Sequence, residues 1–163
     1  MTAQLLGAAG DIFLIANGTL PFALGLGCFL AGHIFYLSIF GRSWKGMTMV
    51  QWVIASAVIA LAVAGLLVGI GVKGTFLVPF AVYGTILMLL IFSGFAGVLR
   101  KLHNPATWWI ITCGGVLFAF SDSLIAVQTF NGSSTFLEFL VMVTYIVAQC
   151  LLAWGGVRLY KQA

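Results

Sequence analysis

Two aspartates, Asp11 and Asp122, lie inside apolar stretches of a chain in which 63% of the residues are hydrophobic and 6% are charged. A charged side chain at membrane depth costs roughly 2.5–3.5 kcal/mol on insertion scales, so it persists mainly where it does chemistry, carries ions or meets a partner. Two carboxyl groups can act as a general acid and as a nearby anion that stabilises a cation. Function is therefore expected at this pair, and a structural hydrogen bond between helices is the alternative interpretation.

Other polar side chains lie in the apolar segments at a depth similar to that of the two aspartates. Tyr145 and Gln149 are four residues apart, so they share one helix face, and both need partners in lipid. A lone histidine such as His33 is more often a satisfied interior residue than a ligand. Counting from the helix ends places the whole set near the middle third of the bilayer, which makes one buried polar site possible: Asp11, His33, Tyr83, Asp122, Tyr145 and Gln149.

The third acidic residue, Glu138, has a structural explanation. The sequence Thr135-Phe-Leu-Glu138 fits a capping box at the start of a helix, where a carboxylate also meets the positive end of the helix dipole. We therefore expect Glu138 to lie outside the functional site.

Composition indicates the architecture that must position these residues. Apolar runs of about 20 residues between short polar breaks predict an all-α, polytopic membrane protein, with about six transmembrane helices in one bundle and one domain over residues 1–163. The first span is shorter than a bilayer core. The predicted spans are 3–17, 20–40, 48–71, 75–99, 106–129 and 135–159.

The basic residues predict the orientation of the bundle. If all six segments span, six of the seven Lys and Arg residues lie on one face and only Lys73 lies on the other. The positive-inside rule then places both termini in the cytoplasm and the Asn17 and Asn131 loops outside, as expected for a protein of a bacterial inner membrane. Scattered basic residues do not form the continuous stripe of a nucleic-acid-binding surface, so no nucleic-acid partner is expected.

No metal or cofactor is expected. Cys28, Cys113 and Cys150 are odd in number and lie in apolar segments, which favours core packing over a disulfide framework or a Cys–His metal cluster. Serine-nucleophile, zinc-protease and phosphate-loop motifs are absent from the sequence. The spacing Gly65-x-x-x-Gly69 predicts close helix packing in lipid.

Five ordered strings of residues resemble the YhhN-like family, the lysoplasmalogenases, over nearly the whole chain. The chain begins where the third helix of the family would, so we expect it to lack the family's first two helices. The strings are Gly10-Asp11, then Phe22-Ala-Leu-Gly25-x-x-x-Phe29-Leu30-x-x-His33-x-x-Tyr36, then Pro79-x-x-x-Tyr83, then Gly115-x-Leu-Phe118-x-x-Ser121-Asp122-Ser123-Leu124, and Tyr145-x-x-x-Gln149.

The resemblance implies a membrane hydrolase that cleaves the vinyl-ether bond of lysoplasmalogens to a fatty aldehyde and a glycerophospho-alcohol. Its substrate would be a lysophospholipid-like molecule that enters from the bilayer. Asp11 and Asp122 would be the catalytic residues. The residues expected to hold the water or the lipid are His33, Tyr36, Tyr83, Ser121, Tyr145 and Gln149.

The chemistry of a vinyl ether agrees with two carboxyl groups. Protonation at carbon creates an oxocarbenium ion that water captures, so a positioned acid and a nearby anion are both needed. The rival classes are a proton-coupled carrier and a non-catalytic membrane interaction protein. A carrier should have discontinuous helices at its site, whereas Pro21, Pro79 and Pro105 fall at or near predicted helix starts.

Overall fold

The computed structural model describes residues 2–16, 18–102 and 104–161, and this part of the chain contains helices and no strand. The all-α prediction is confirmed, and each helix end lies within two residues of the predicted span. Short 3-10 turns at Gly41–Trp44 and Gly74–Phe76 join some of the helices. The helices are α1 (Thr2–Ile15), α2 (Thr19–Phe40), α3 (Met49–Ile70), α4 (Leu77–Leu99), α5 (Pro105–Asn131) and α6 (Thr135–Lys161).

Five of these helices, α2 to α6, are long and apolar enough to cross a membrane. Helix α1 has 14 residues, or about 21 Å at ~1.5 Å per residue, so it is shorter than the ~30 Å hydrocarbon core. The outer surface of the bundle carries large apolar side chains, such as Ile15 and Val68, which are both 81% exposed. Such a surface is stable only in lipid or detergent.

Side chains cap the N-termini of two helices, α3 and α5. The Thr48 hydroxyl accepts from the backbone N–H of Gln51, and the Gln51 side chain accepts from the backbone of Thr48, so α3 begins with a complete capping box. At α5, the Asn104 side chain accepts from the N–H of Ala106, and Pro105 occupies the first helical position, where its missing N–H is not needed. These caps set the helix starts at the end of the bundle that we predict to be cytoplasmic.

The predicted capping box at Thr135 and Glu138 is wrong by one residue. The hydroxyl of Ser134 accepts from the N–H of Leu137, so Ser134 is the cap, and Thr135 is already inside the helix. Glu138 remains in the first turn of α6, where its charge still meets the positive end of the dipole. Sequence spacing favours Thr135, because Glu138 follows it by three residues, but Ser134 is also a good capping residue without that partner.

Glycines let α5 approach its two neighbours closely. A Cβ atom on Gly94 of α4 would lie 2.7 Å from the backbone nitrogen of Thr112 in α5. On the other side of α5, a Cβ atom on Gly114 would lie 3.0 Å from Leu152 of α6. Small residues at helix interfaces are the usual basis of packing in lipid, where no hydrophobic force draws helices together. Helix α5 therefore carries Asp122 between α4 and α6.

Helix α1 packs in the same way on the opposite side of the bundle. A Cβ atom on Gly10 would lie 3.1 Å from the carbonyl oxygen of Gly25 in α2, and one on Gly7 would lie 2.7 Å from the Gln149 amide of α6. Two sides of this short helix thus pack against neighbours, while Leu5, Ile12 and Ile15 stay exposed on the outer surface. Asp11, one residue after Gly10, is held near α6 as a result.

Two predictions of interior packing are wrong. A Cβ atom on Gly65 or Gly69 would meet nothing within 4 Å, so these glycines do not pack against another helix among the described residues. Cys113 and Cys150 are exposed on the outside of the bundle instead of in its core. Helix α3 is peripheral, with only Ala55 and Val63 buried, and an all-apolar helix does not reveal from sequence which face turns inward.

We predict that the α5–α6 loop is outside the cell and that the 3-10 turn after α2 is cytoplasmic, because the basic residues other than Lys73 cluster at the latter end. Ser133→Cys and Lys45→Cys would each be made in a variant with the native cysteines replaced by alanine. An impermeant maleimide added to intact cells should label position 133 and reach position 45 only after permeabilisation. The reverse labelling pattern would show that the bundle has the opposite orientation in the membrane. The predicted outer loop at Asn17 falls on a residue outside the described part of the chain.

We predict that Gly94→Ala lowers the free energy of unfolding by about 1–3 kcal/mol, because the new methyl group must displace the Thr112 backbone. The matched control is Gly65→Ala, where the space is open and alanine is the better helix former by about 1 kcal/mol. Denaturant unfolding in detergent micelles measures both. Equal stability of the two variants would contradict the close α4–α5 contact.

Candidate functional site

Asp122 is held by a tyrosine from the neighbouring helix. The hydroxyl group of Tyr83 in α4 donates a hydrogen bond to Oδ2 of Asp122 in α5. Tyr83 is 5% exposed, whereas Asp122 is only partly buried. Asp122 lies nine residues before the end of α5 at Asn131, about 13 Å at ~1.5 Å per residue. The carboxyl group is therefore at membrane depth with one oxygen bound by Tyr83.

Asp11 has the same type of partner on a different helix. The hydroxyl group of Tyr145 in α6 donates to Oδ2 of Asp11 over 2.9 Å, and it accepts from Nε2 of Gln149 over 3.1 Å. These three side chains form a continuous hydrogen-bonded chain from α1 into α6. The predicted common face of Tyr145 and Gln149 points inward, toward α1.

Aromatic rings connect the two carboxyl groups. The ring of Phe118 packs edge to face against His33 at 4.3 Å and against Tyr145 at 5.4 Å, measured between ring centroids. His33 also packs against Tyr83 at 5.9 Å. These ring contacts run from Tyr83, which binds Asp122, through His33 and Phe118 to Tyr145, which binds Asp11. The two tyrosine–aspartate pairs are therefore linked through one set of packed aromatic side chains.

His33 is 2% exposed, and its two ring nitrogens have different surroundings. Nδ1 lies 2.6 Å from the backbone oxygen of Phe29. A carbonyl oxygen only accepts hydrogen bonds, so Nδ1 carries the hydrogen, and Nε2 of the neutral ring offers a lone pair. Nε2 is buried without a partner among the described residues. A buried acceptor of this kind is costly unless a water or a ligand satisfies it.

Among the other buried polar atoms without partners in the described part of the chain, the Tyr36 hydroxyl and Oε1 of Gln149 lie on the same two helices, α2 and α6, as this region of the site, whereas Ser43, Trp44 and Thr107 lie elsewhere. Helices α2 and α6 run in the same direction, with Phe29 level with Tyr145 at a ring distance of 5.8 Å. One turn further on, His33 and Gln149 are therefore level with each other. Further along the same two helices, a Cβ atom on Gly156 of α6 would lie 4.0 Å from the ring of Tyr36 in α2. The unpaired atoms therefore lie along one α2–α6 seam.

A cavity of about 70 Å³ opens beside Asp122. Asp122, Tyr83 and Ser123 are its polar lining residues, and the Ser123 hydroxyl already donates to the backbone oxygen of Ala119. Asp11 does not line this cavity. The two carboxyl groups thus differ in surroundings, because Asp122 lines an apolar space and Asp11, which is bound to Tyr145, does not. The remaining lining comes from apolar residues of five helices, among them Leu14, Phe29, Leu66, Met88 and Ala126.

Ser121 is fully buried, and its hydroxyl group donates to the backbone oxygen of Val141 in α6 over 3.2 Å. It therefore joins α5 to α6, away from the cavity lining. The next residue, Asp122, instead accepts a hydrogen bond from Tyr83 of α4, the helix on the other side of α5. This alternation follows from the 100° rotation per residue of a helix.

Sequence reasoning missed Phe29 and Phe118 as site residues, although both lie in the strings that carry the family resemblance. Phe118 is 1% exposed and touches both His33 and Tyr145. Phe29 lines the cavity and also supplies the carbonyl that holds His33. Among many phenylalanines in apolar helices, only position in the fold separates these two from lipid-facing ones. No group of three His, Cys, Asp or Glu side chains that could hold a metal ion occurs in the described part of the chain.

Comparison with known proteins gives a consistent picture. The chain is 30% identical over 153 residues to Lysoplasmalogenase TMEM86B of Rattus norvegicus, which covers 93% of this chain and 58% of the relative. It is 27% identical over 158 residues to Lysoplasmalogenase TMEM86B of Homo sapiens, covering 96% of this chain and 62% of the relative. It is 30% identical over 156 residues to Lysoplasmalogenase TMEM86A of Homo sapiens, with 93% and 62% covered.

The chain thus spans about three-fifths of the length of the curated relatives it matches. No solved structure matches it significantly. The sequence profile of the YhhN family matches residues 1–156, and the match includes each residue of the hydrogen-bonded site. The resemblance seen in the sequence is confirmed, and the chain belongs to the YhhN family.

Proposed function

We propose that this protein hydrolyses the vinyl-ether bond of lysoplasmalogens. The observation that carries the proposal is the position of Asp122, a carboxyl group at membrane depth that faces an apolar cavity and is oriented by Tyr83. A lipid substrate dissolved in the bilayer needs such a site, because its reacting bond lies next to its hydrocarbon chain. The names of the relatives, which are lysoplasmalogenases, support the same substrate class.

In this proposal, Asp122 is the general acid. Tyr83 occupies Oδ2, so Oδ1 is left to carry the proton toward the cavity. The proton passes to the second carbon of the alkenyl chain and leaves an oxocarbenium ion at the first. Water adds to the first carbon and gives up one proton, which restores the Asp122 acid. The bond from that carbon to the glycerol oxygen then breaks as the remaining hydroxyl proton passes to that oxygen. The products are an aldehyde and a glycerophospho-alcohol whose oxygen has gained a proton, so atoms and charges balance.

Asp11 supplies the stabilising anion. Its carboxyl group is fixed by the Tyr145 hydroxyl, and ring contacts through Phe118 and His33 connect Tyr145 to Tyr83, the partner of Asp122. In a medium from which water is excluded, an oriented negative charge stabilises a nearby cation much more than it would in water. Division of the acid and anion roles between two carboxyl groups is the arrangement that glycosidases use for a similar ion.

The hydrolytic water has a suitable place on the α2–α6 seam. Nε2 of His33 and Oε1 of Gln149 are both acceptors without partners, and they lie at the same level. A water molecule can donate one hydrogen to each of them, whereas no side chain in the described part of the seam does so. The Tyr36 hydroxyl, also unpaired, extends the same polar path. Water held in this way has its oxygen lone pairs available for attack.

The continuous helices favour a hydrolase over the proton-coupled carrier. Carriers of this kind place discontinuous helices at the binding site. Pro21 and Pro79 each occupy the third position of a helix and Pro105 the first, and no helix in the described ranges is interrupted beside the two carboxyl groups. A non-catalytic interaction protein would not need both carboxyl groups, since the tyrosines could be paired by neutral acceptors.

The activity can be tested directly with purified protein in detergent and a lysoplasmalogen substrate. We expect release of a fatty aldehyde in the absence of any ion gradient. A transport assay in liposomes would run in parallel. Gradient-dependent uptake without hydrolysis would show that the protein is a proton-coupled carrier and not a hydrolase.

We predict that Asp11→Asn and Asp122→Asn each lower kcat by at least about a hundredfold, which is the lower end of the effect of general acid–base catalysis. Asparagine keeps the size of the side chain and can still accept a hydrogen bond from Tyr83 or Tyr145, so the bundle should still fold. The losses should not add in the double variant, because groups that act together fail together.

Glu138→Gln is the matched control, since it removes the remaining carboxylate, which lies in the first turn of α6 away from the cavity. It should cost at most about 1 kcal/mol of stability through the helix dipole and leave turnover nearly unchanged. Near-normal turnover in either well-folded asparagine variant would remove that aspartate from the mechanism.

We predict that Gln149→Leu lowers kcat about tenfold or more with little change in KM, because it removes one acceptor of the proposed water and leaves the lipid cavity intact. Gln4→Leu on the exposed side of α1 is the control and should match the unmodified protein. A rise in KM with unchanged kcat would assign Gln149 to substrate binding instead of water.

A further inference from the structure

A second and larger apolar space lies beside the cavity of Asp122. It has a volume of about 430 Å³ and runs between α3 and α4. Its walls include Ala55 and Ile59 of α3 and Phe92 and Phe95 of α4, and Arg100 lines its far end. The proposed reaction uses none of these residues, so the function of this groove is open.

Met88 lies between the two spaces, because it lines both the cavity of Asp122 and the α3–α4 groove. Contacts between the antiparallel helices give the depth along the groove. Val63 is level with Gly84 near Asp122, where a Cβ atom on Gly84 would lie 3.7 Å from the valine. Trp52 is level with Phe92 further along, at a ring distance of 6.2 Å. The groove therefore leads from the carboxyl site toward the opposite end of the bundle.

The length of the groove matches one lipid chain. Tyr83, the partner of Asp122, and Phe95 are twelve residues apart on α4, which is about 18 Å at ~1.5 Å per residue. A lipid chain spans roughly half of the ~30 Å hydrocarbon core, or about 15 Å. A chain whose first bond lies at Asp122 would thus end near Phe92 or Phe95, inside the groove.

We propose that the α3–α4 groove binds the hydrocarbon chain of the substrate and measures its length. The inference rests on the proposed hydrolysis at Asp122. It commits to one occupant, the single chain of a lysolipid-like amphiphile, because the groove adjoins the cavity of the reacting bond at the unbranched, flexible side chain of Met88 and has the length of such a chain.

This placement fixes the direction in which the substrate lies. Arg100 is seventeen residues from Tyr83 on the α4 path, about 25 Å, which is too far for a head group only a few bonds from the vinyl ether. The head group must lie at the other end of the bundle. Among the described residues, Lys73 is the one Lys or Arg at that end, and it lies three residues after Ile70, which lines the cavity of Asp122. Its ammonium group is suited to the phosphate of the substrate.

Lateral entry follows from the loose packing of α3. This helix buries only Ala55 and Val63, and the groove wall includes side chains that are also exposed on the bundle surface, such as Ile54 at 58% and Phe95 at 42%. A chain can therefore move sideways from lipid into the groove. Since it leaves one apolar medium for another, the groove selects by shape and length, and burial adds little.

The test compares Ala55→Phe, which fills the groove, with Ala57→Phe, the same change on the exposed face of α3. Both would be assayed with lysoplasmalogens of about eight and about sixteen chain carbons. Ala55→Phe should lower kcat/KM for the long chain at least about tenfold relative to the short chain, the order of effect expected for overpacking a fitted apolar site. Ala57→Phe should keep the profile of the unmodified protein.

Because Ala55 is buried, Ile59→Trp provides a second variant on the half-buried groove wall nearer to Met88. It should shift the preference to chains shorter still. Activity on the short substrate reports that each variant is folded. If the unmodified protein hydrolyses both substrates and the groove variants keep its length profile, the groove is not the chain site, although the proposed function stands. If the unmodified protein hydrolyses neither, the proposed function itself fails.

Discussion

The need to satisfy a carboxyl group inside hydrocarbon governs this structure. Each intramembrane aspartate takes a hydrogen bond from a tyrosine on another helix, with Tyr83 binding Asp122 and Tyr145 binding Asp11. An unpaired polar group at this depth would cost several kcal/mol. The two bonds tie α5 to α4 and α1 to α6. At the second bond, the missing side chain of Gly7 lets α1 lie close to Tyr145 and Gln149 of α6, one turn from Asp11.

The same arrangement separates two environments within one site. Asp122 faces an apolar cavity, whereas Asp11, Gln149 and His33 lie toward the α2–α6 seam, where buried acceptors lack partners. Phe118 packs between His33 and Tyr145. In the proposed reaction, the lipid chain occupies the apolar side and the water the polar side, so the two reactants meet at the boundary. The proposed reaction therefore takes place at one position, although the lipid comes from the bilayer and the water from the aqueous phase.

Much of the fold follows from the sequence because hydropathy alone locates helices in a membrane protein. The six spans agree with the helices, and the depth of Asp11, Asp122 and Tyr145 could be counted from their ends. Helix rotation could not be derived in this way. Helices that are apolar on every side have no periodic signal, which is why Gly65 was expected at an interface and instead faces open space.

For the site, the sequence identifies which polar residues take part but not how they pair. Polar residues in lipid identified His33, Tyr83 and Gln149 as candidates, since each must have a partner somewhere. Their pairing was not predictable, because it depends on which helices touch. Ser121 and Asp122 illustrate this, for neighbouring residues on α5 bind opposite helices. The cavity walls, built from side chains such as Leu66 and Met88, have no chemical signature at all.

In the proposed reaction, a carboxyl group of this site protonates the substrate at carbon before water attacks. The decisive measurement is the hydrolysis of a lysoplasmalogen by the purified protein in heavy water, with the aldehyde reduced at once to an alcohol. We expect one deuterium at the second carbon of the product chain. With oxygen-18 water, we expect the label in the chain product and none in the glycerol hydroxyl. A product without deuterium at that carbon, or a labelled glycerol oxygen, would rule out protonation at carbon followed by attack of water at the first carbon.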